Sequence, residues 1–282
     1  MRRWIIAALL VLCAASAWGQ TYNANWYVPY TNEAACIYLM REGSGSNVTD
    51  YSANGRTATN RNSPVWAERV SGAGALAYDG DTALQWTDIG NLGITGAITI
   101  AYWQQGNNTN GGSASANCTA VGNSGASVWS AIGYQCMQKS SDYTLGMWVG
   151  NNGSSAGDSA TIATNLVGWN HLVMTYDPGV AILIYKNATI IKSQAVTRTW
   201  VNLDPYPWVI ARDQRAIAAP SNDDFYWGGL LGEVMIVARA FTPAQVTELY
   251  NSFTSTPPAT VTGTKFSTVQ MIYNLTTRGS IQ

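Results

Sequence analysis

Charge is scarce in this chain. Lysine and arginine total 15, aspartate and glutamate 16, and the 282 residues contain one histidine and carry a net charge of -1. Phosphate neutralisation needs basic residues gathered into a stripe, and none is visible, which argues against a nucleic-acid partner. There is no acidic tail. After the first twenty residues no apolar run reaches the ~20 residues a helix needs to cross a bilayer, so no transmembrane anchor is expected there. His171 stands alone, so no Cys/His spacing suggests zinc, and no serine sits in the Gly-x-Ser-x-Gly setting of a nucleophile elbow.

What the chain does have is amide, hydroxyl and aromatic surface. Gly (27), Tyr (15) and Trp (12) are abundant, and Asn, Ser and Thr fill the segments between apolar runs. A neutral surface of this kind suits uncharged polar ligands, sugars first among them, because indole and phenol faces attract C–H edges while amides and hydroxyls read oxygens. The opening "MRRWIIAALLVLCAASAWGQ" has two arginines, an apolar run shorter than a membrane span, and then small residues. That order predicts a signal peptide over residues 1–19, cleaved after Gly19 or, alternatively, Ala17. The expected product is secreted, periplasmic or held at the cell surface.

Residues 20–32 form a polar and aromatic lead-in with no clear period. From there to about Ala240 the chain reads as short strands broken by Gly, Asn, Asp and Ser, the pattern of an all-β sandwich or barrel. "GWNHLVMTYDPGVAILIYKN" (168–187) is the strongest case, two alternating arms around Asp177-Pro178-Gly179. With those three residues as the loop, Tyr176 faces Val180, Met174 faces Ile182 and Leu172 faces Ile184 on an apolar side, and His171 meets Tyr185 on a mixed one. One stretch, "FTPAQVTELYNSF", predicts a short helix, with Thr242 as N-cap, Pro243 in the first turn, Gln245 completing a capping box, and Val246, Leu249 and Tyr250 on one face. Residues 254–282 are a Pro/Thr-rich linker and tail. Antiparallel pairing of "CTAVG" with "AIGYQCMQ" centred on Ser127 would set Cys118 opposite Cys136, so a 118–136 disulfide is expected under oxidising conditions, with Cys36 as a buried thiol.

Four stretches carry a family likeness. "YLMREGSGSNVTDYSANGR", with Asp50, Asn54 and Gly55; "GALAYDGD"; the Trp-x-His ribbon; and "GLLGEVMIVARAFTPAQVTELY" occur in an order that resembles the laminin-G-like or concanavalin A-like lectin/glucanase domains. The resemblance implies an antiparallel two-sheet jelly-roll sandwich over residues 33–253 with one short C-terminal helix. Two departures stand out. Asn187-Ala188 replaces the family's Asn-Gly turn, and Gly232 stands where relatives carry a calcium-binding Asp before the Glu, here Glu233.

The resemblance also directs attention to sites. Asp79 and Asp81 bracket Gly80 and could hold Ca2+ with Glu42 or Glu233 nearby; the alternative is ordinary turn chemistry, each Asp bonding its own backbone. In the late acidic loop, Asp213, Asn222, Asp223 and Asp224 are candidates because pentraxin-like relatives gather ligand oxygens there. Trp103, Trp148 and Tyr185 on strands, with Trp208 and Trp227 flanking that loop, are the candidate sugar platforms, provided they share an exposed face. Hydrolases on this scaffold resemble one another in a Glu-x-Asp-x-Glu strand, whereas none of the five glutamates here has an acid two residues on, which argues against catalysis. The expected function is a non-catalytic recognition domain for a glycan or surface polysaccharide. A structural or adhesive surface protein, or a viral appendage, is the alternative, and a polysaccharide hydrolase or lyase is disfavoured.

Overall fold

A computed structural model describes residues 22–79, 84–107, 117–123, 133–139, 141–150, 157–199, 207–212 and 226–254. In chain order the strands are β1 (Ala34–Tyr38), β2 (Asn47–Val48), β3 (Ala58–Arg61), β4 (Val65–Val70), β5 (Ala73–Asp79), β6 (Trp86–Gly90), β7 (Ile98–Gln105) and β8 (Asn117–Gly122). They continue with β9 (Gly133–Lys139), β10 (Thr144–Gly150), β11 (Asp158–Ala163), β12 (Trp169–Asp177), β13 (Ala181–Lys186), β14 (Thr189–Ala195), β15 (Trp208–Ile210) and β16 (Gly228–Val237), followed by helix α1 (Pro243–Thr254). Two eight-stranded antiparallel sheets result. The first runs β14-β13-β12-β7-β16-β5-β4 with β1 also paired to β16, and the second runs β11-β10-β9-β8-β15-β6-β3-β2. The fold is the expected jelly-roll sandwich. No helix among the described residues is long and apolar enough to cross a membrane.

Alternation sorts the side chains. Leu172, Met174, Tyr176, Ile182 and Ile184 are fully buried between the sheets, against Tyr134, Trp208 and their neighbours from the second sheet. Each such side chain contributes roughly 1.5–3 kcal/mol. The ribbon's register differs from expectation. Asp177 pairs with Ala181, Tyr176 with Ile182 and Met174 with Ile184, so the loop is Pro178–Val180 instead of Asp177–Gly179. Val180 N–H donates to the Asp177 carbonyl at 3.0 Å, and Gly179 adopts φ 74° in the middle of the loop. A shift of two in the pairing leaves every side chain on its own face, so the core assignment survives for Leu172, Met174, Tyr176, Ile182 and Ile184 but not for Val180, which falls in the loop and is 59% exposed.

The turn from β13 to β14 is the strained one. Lys186 pairs with Thr189, and both intervening residues have positive φ, Asn187 at 50° and Ala188 at 65°. Relatives with Asn-Gly avoid the Cβ penalty that Ala188 carries here, about 1–2 kcal/mol. Asn187 offsets part of it, its Oδ1 accepting the His171 backbone N–H at 2.9 Å.

Asp50 is a fastener. Its Oδ1 accepts from the N–H of Ile37 (2.8 Å) and Ser52 (2.8 Å), and its Oδ2 from Ser52 Oγ (2.8 Å) and the Arg56 N–H (2.7 Å). Asn54 adds Nδ2 bonds to the carbonyls of Ala34 and Ala35. The Asp-x-x-x-Asn-Gly stretch thus ties the turn after β2 to β1. At the other end of the chain, α1 forms as its sequence requires. The Gln245 N–H donates to Thr242 Oγ1, Gln245 Oε1 accepts the Thr242 N–H at 3.0 Å, and Val246, Leu249 and Phe253 are buried.

The compact unit spans Ala24–Phe253, so part of the lead-in belongs to it. Trp26, 1% exposed, packs 4.3 Å from Phe253, and Tyr30 lies 5.9 Å from Phe241. The expected 118–136 bridge is not formed. The ladder sets Cys118 opposite Gln138 and Cys136 opposite Val121, because the two strands pair two to three positions out of the expected register. Cys36, Cys118 and Cys136 are buried and none of them is in a disulfide among the described residues; burial raises the Cys36 and Cys136 thiols well above the ordinary range.

Candidate functional site

The outer face of the second sheet is built by strand register alone. Trp148 pairs with Ser159 on β11 and Gln135 on β9; Gln135 pairs with Gly122, Gly122 with Val209, Val209 with Asp88, and Asp88 with Thr59. Directly paired residues share a face, so these seven side positions form one transverse row across seven strands. Trp148 and Asp88 stand four strand spacings apart, about 19 Å. Ser159 is exposed, and Trp148, Asp88 and Thr59 are half-buried. Gln135, Gly122 and Val209 are buried. Gln135 Nε2 donates to Thr119 Oγ1 at 2.6 Å, which fixes an amide one strand and a hydroxyl two strands from the indole. Among the described residues the buried Trp148 Nε1–H has no acceptor.

Two residues beyond Asp88 on the same face lies Trp86, half-buried, with the Arg212 guanidinium 4.1 Å above its ring and 5.0 Å from that of Tyr226. Such a cation held against an indole and a phenol is worth about 0.5–2 kcal/mol. Trp86 was passed over in the sequence because one aromatic in "ALQWTDI" carries no mark of its face; strand parity relative to the buried Thr87 and Ile89 is the signal that finds it.

The outer face of the first sheet is different. The register of β16 against β7 shifts between Gly232 and Met235, and Glu233 occupies that irregularity with φ 31°. Its Oε1 accepts Trp26 Nε1 at 2.9 Å, while its Oε2 accepts Arg69 Nη2 at 2.6 Å and Nε at 3.1 Å. The Arg69 guanidinium lies 3.8 Å from the Trp103 ring centre, and Phe253 of α1 packs edge-on against Trp103 at 5.3 Å. His171 sits in the same stack, 5.1 Å from Trp103 and 4.9 Å from Phe253, fully buried and with neither ring nitrogen hydrogen-bonded among the described residues. Burial, reinforced by the neighbouring Arg69 charge, holds its pKa down at about 3. A neutral, enclosed imidazole without a proton partner has no reach to a substrate.

The candidate sugar platforms are therefore not brought together. Trp103 (5% exposed) and Tyr185 (0%) belong to the sealed face of the first sheet, and Trp208 and Trp227 to the interior between the sheets. A buried ring offers no face to a ligand, so these four are packing residues, and Trp148 alone of the five is half-exposed. Asp213, Asn222, Asp223 and Asp224 lie outside the described residues, as does Asp81.

Of the metal candidates, Asp79 is exposed, and its backbone N–H donates to Gln85 Oε1 at 2.8 Å. Glu233 is committed to Arg69 and Trp26, and Glu42 accepts the Thr49 N–H at 2.8 Å. Among the described residues no three His, Cys, Asp or Glu side chains cluster as a metal site. Gly232 has a steric reason for replacing the family's Asp, since a Cβ there would stand 2.9 Å from the Gly74 carbonyl oxygen.

Two antiparallel sheets, one with the middle of its outer side covered and one with a half-exposed indole on its outer side, define a lectin-like fold. The chain belongs to the laminin-G-like group of the concanavalin A-like lectin/glucanases superfamily, whose family model matches residues 78–247. Among solved structures it is similar to domain 4 of AbnA, a GH43 extracellular arabinanase from Geobacillus stearothermophilus, in complex with arabinotriose. The identity is 16% over 77% of this chain and 98% of that one, with a TM-score of 0.57. The binding domain of botulinum neurotoxin serotype C1 is similar at 12% identity over 79% and 53% of the two chains (TM-score 0.58), and that of serotype G at 13% over 77% and 50% (TM-score 0.53). At these identities the likeness is one of fold. The chain spans about half the length of the neurotoxin binding domains it matches. No curated protein matches it by sequence.

Proposed function

We propose that this protein is an exported, non-catalytic recognition domain that binds carbohydrate on the outer face of its second sheet, with the Trp148 indole as stacking platform. The observation that carries the reading is the half-exposed Trp148, flanked on adjacent strands by Ser159 and Gln135. An indole face beside an amide and hydroxyls is what a sugar ring needs. Export rests on the leader over residues 1–19. The non-catalytic reading rests on the missing acid pair and on the neutral, enclosed His171. A Ca2+ held by Asp79 and Asp81, or by the carboxylates of the late acidic loop, would enter as a ligand bridge.

The test is a glycan array read with and without chelator, with arabino-oligosaccharides among the first probes because AbnA domain 4 was solved with one. Binding that Trp148→Ala weakens supports the reading; a blank array, or unchanged affinity in the variant, removes it. A chelator effect would bring the calcium into the site. Release of reducing sugar would instead revive a hydrolase or lyase. A second reading, a surface or appendage protein making protein contacts, draws on edge strand β4, where Val65 is 63% and Val70 43% exposed. Under that reading the array is blank and Val65→Lys abolishes partner binding.

A further inference from the structure

At one end of the sandwich, where β1 begins, the turn after β2 and the loop between β6 and β7 enclose a cleft of about 500 Å3, within the usual range for small-molecule sites. Its floor is apolar, with Leu92 and Ile94 mostly buried beside several alanines. Its rim is polar, carrying Asn32, Glu33, Asn54 and Arg56.

The charges on that rim do not cancel. Glu33 Oε2 is gripped by Arg239 Nη2 at 2.7 Å and Nε at 3.2 Å, a neutral pair. Arg56 has no carboxylate partner among the described residues. Its backbone N–H is anchored on Asp50, and Nη1 donates to the Asn91 carbonyl at 2.8 Å, which holds the side chain in place and leaves the rest of the guanidinium fork open. Asn54 is similarly oriented, giving Nδ2 to the Ala34 and Ala35 carbonyls and keeping Oδ1 as an acceptor. One fixed, unpaired guanidinium suits one carboxylate, which it can bind with two parallel hydrogen bonds; a doubly charged phosphate would call for more than a single cation. The remaining amides, backbone carbonyls and apolar floor suit hydroxyls and a C–H face.

We infer that this cleft is a second binding site, separate from the Trp148 face, and that it takes a carboxylated sugar. The carboxylate sits on Arg56, and the ring hydroxyls reach Asn54 Oδ1 and Asn32. The residues Asn32 to Arg56 lie outside the segment 78–247 matched by the family model.

The experiment is calorimetric titration of the full chain with D-glucuronate, its methyl ester, glucose and acetate. Glucuronate is expected to bind at least about tenfold more tightly than the uncharged ester or glucose, a difference the lost charge-assisted pair accounts for. Acetate, lacking the hydroxyls, should bind more weakly than glucuronate. Arg56→Gln should reduce glucuronate to the level of the ester, and Arg56→Lys should fall between, keeping the charge and losing the fork. Trp148→Ala should leave glucuronate binding unchanged. Equal affinity for glucuronate and ester overturns the proposal without recourse to any variant, as does full binding by Arg56→Gln. Acetate matching glucuronate overturns the sugar assignment. Loss of glucuronate binding in Trp148→Ala would merge the two sites and overturn their separation, whereas array binding that depends on Trp148 without any glucuronate affinity sinks this inference alone.

Discussion

On the outer side of the first sheet, Trp103 and His171 lie under α1 and the Arg69–Glu233 pair, to which Trp26 is bonded. On the outer side of the second, Trp148 and Trp86 keep part of their rings in solvent. Both faces come from the same alternation and both carry aromatics. The difference lies in what covers them. A lid contributed from the two ends of the compact unit turns one set of rings into packing, while Trp148 and Trp86 stay half-exposed. Aromatic content alone therefore says little about binding; an aromatic counts as a platform only where nothing else in the chain has claimed its face.

The sharpest way to break this contrast is to remove the lid's anchor. Glu233→Ala strands Arg69, whose side chain is only 6% exposed, and frees the Trp26 indole N–H, so a loss of about 3–5 kcal/mol is expected from an uncompensated buried charge. Chemical denaturation would measure it. Sugar binding at Trp148 should persist under conditions where the variant is folded; if stability barely moves, the sealed face is not held by this pair.

Acid should probe the same lid more gently. His171 titrates at about 3 folded against 6.5 ordinarily, so between those values the unfolded chain binds the extra proton. Its contribution is complete above pH 6.5 and is lost as pH falls toward about 3, at no more than about 1.4 kcal/mol per pH unit. Comparing unfolding free energies at pH 7 and pH 4.5 with those of His171→Phe isolates the histidine's share from the carboxylates'. An identical pH slope in the two proteins would contradict the buried neutral ring.

On the open face, Trp148→Ala should weaken any glycan by about tenfold, or 1.4 kcal/mol, while the melting temperature moves little because the side chain is half-exposed. The same substitution at Trp103 should do the reverse, costing stability and sparing affinity at low temperature. The smallest effect is expected at the rim of the sealed face. Ala188→Gly relieves a φ of 65° at the cost of a freer unfolded chain, for a net gain of about half a kcal/mol by thermal unfolding.

Sequence reading went furthest where a local period met an interior. The β7, β12 and β13 strands alternate into the core and were legible, and so was α1, whose capping box needs only Thr242, Pro243 and Gln245. The strands it passed over, β2, β3, β4 and β14, are short or lie at sheet edges, with many exposed positions and no clean alternation to read. The 118–136 bridge failed for a different reason. The two strands pair two to three positions out of the expected register, and nothing local in "CTAVG" announces where its partner engages it. The cleft residues Asn54 and Arg56 were within a quoted motif but looked like turn chemistry, because their other wall, Leu92–Ala97, arrives from forty residues away.

By itself, then, the order of residues determined that this chain would form an antiparallel sandwich, which side chains share a face, and where its one described helix begins, since these follow from backbone period and neighbouring groups. Which outer face stays open was decided only in three dimensions. Trp26 meets Glu233 across 207 positions, and Phe253 closes over Trp103 and His171. Strand parity can say that a ring points outward, but only distant segments folding back determine whether outward means water.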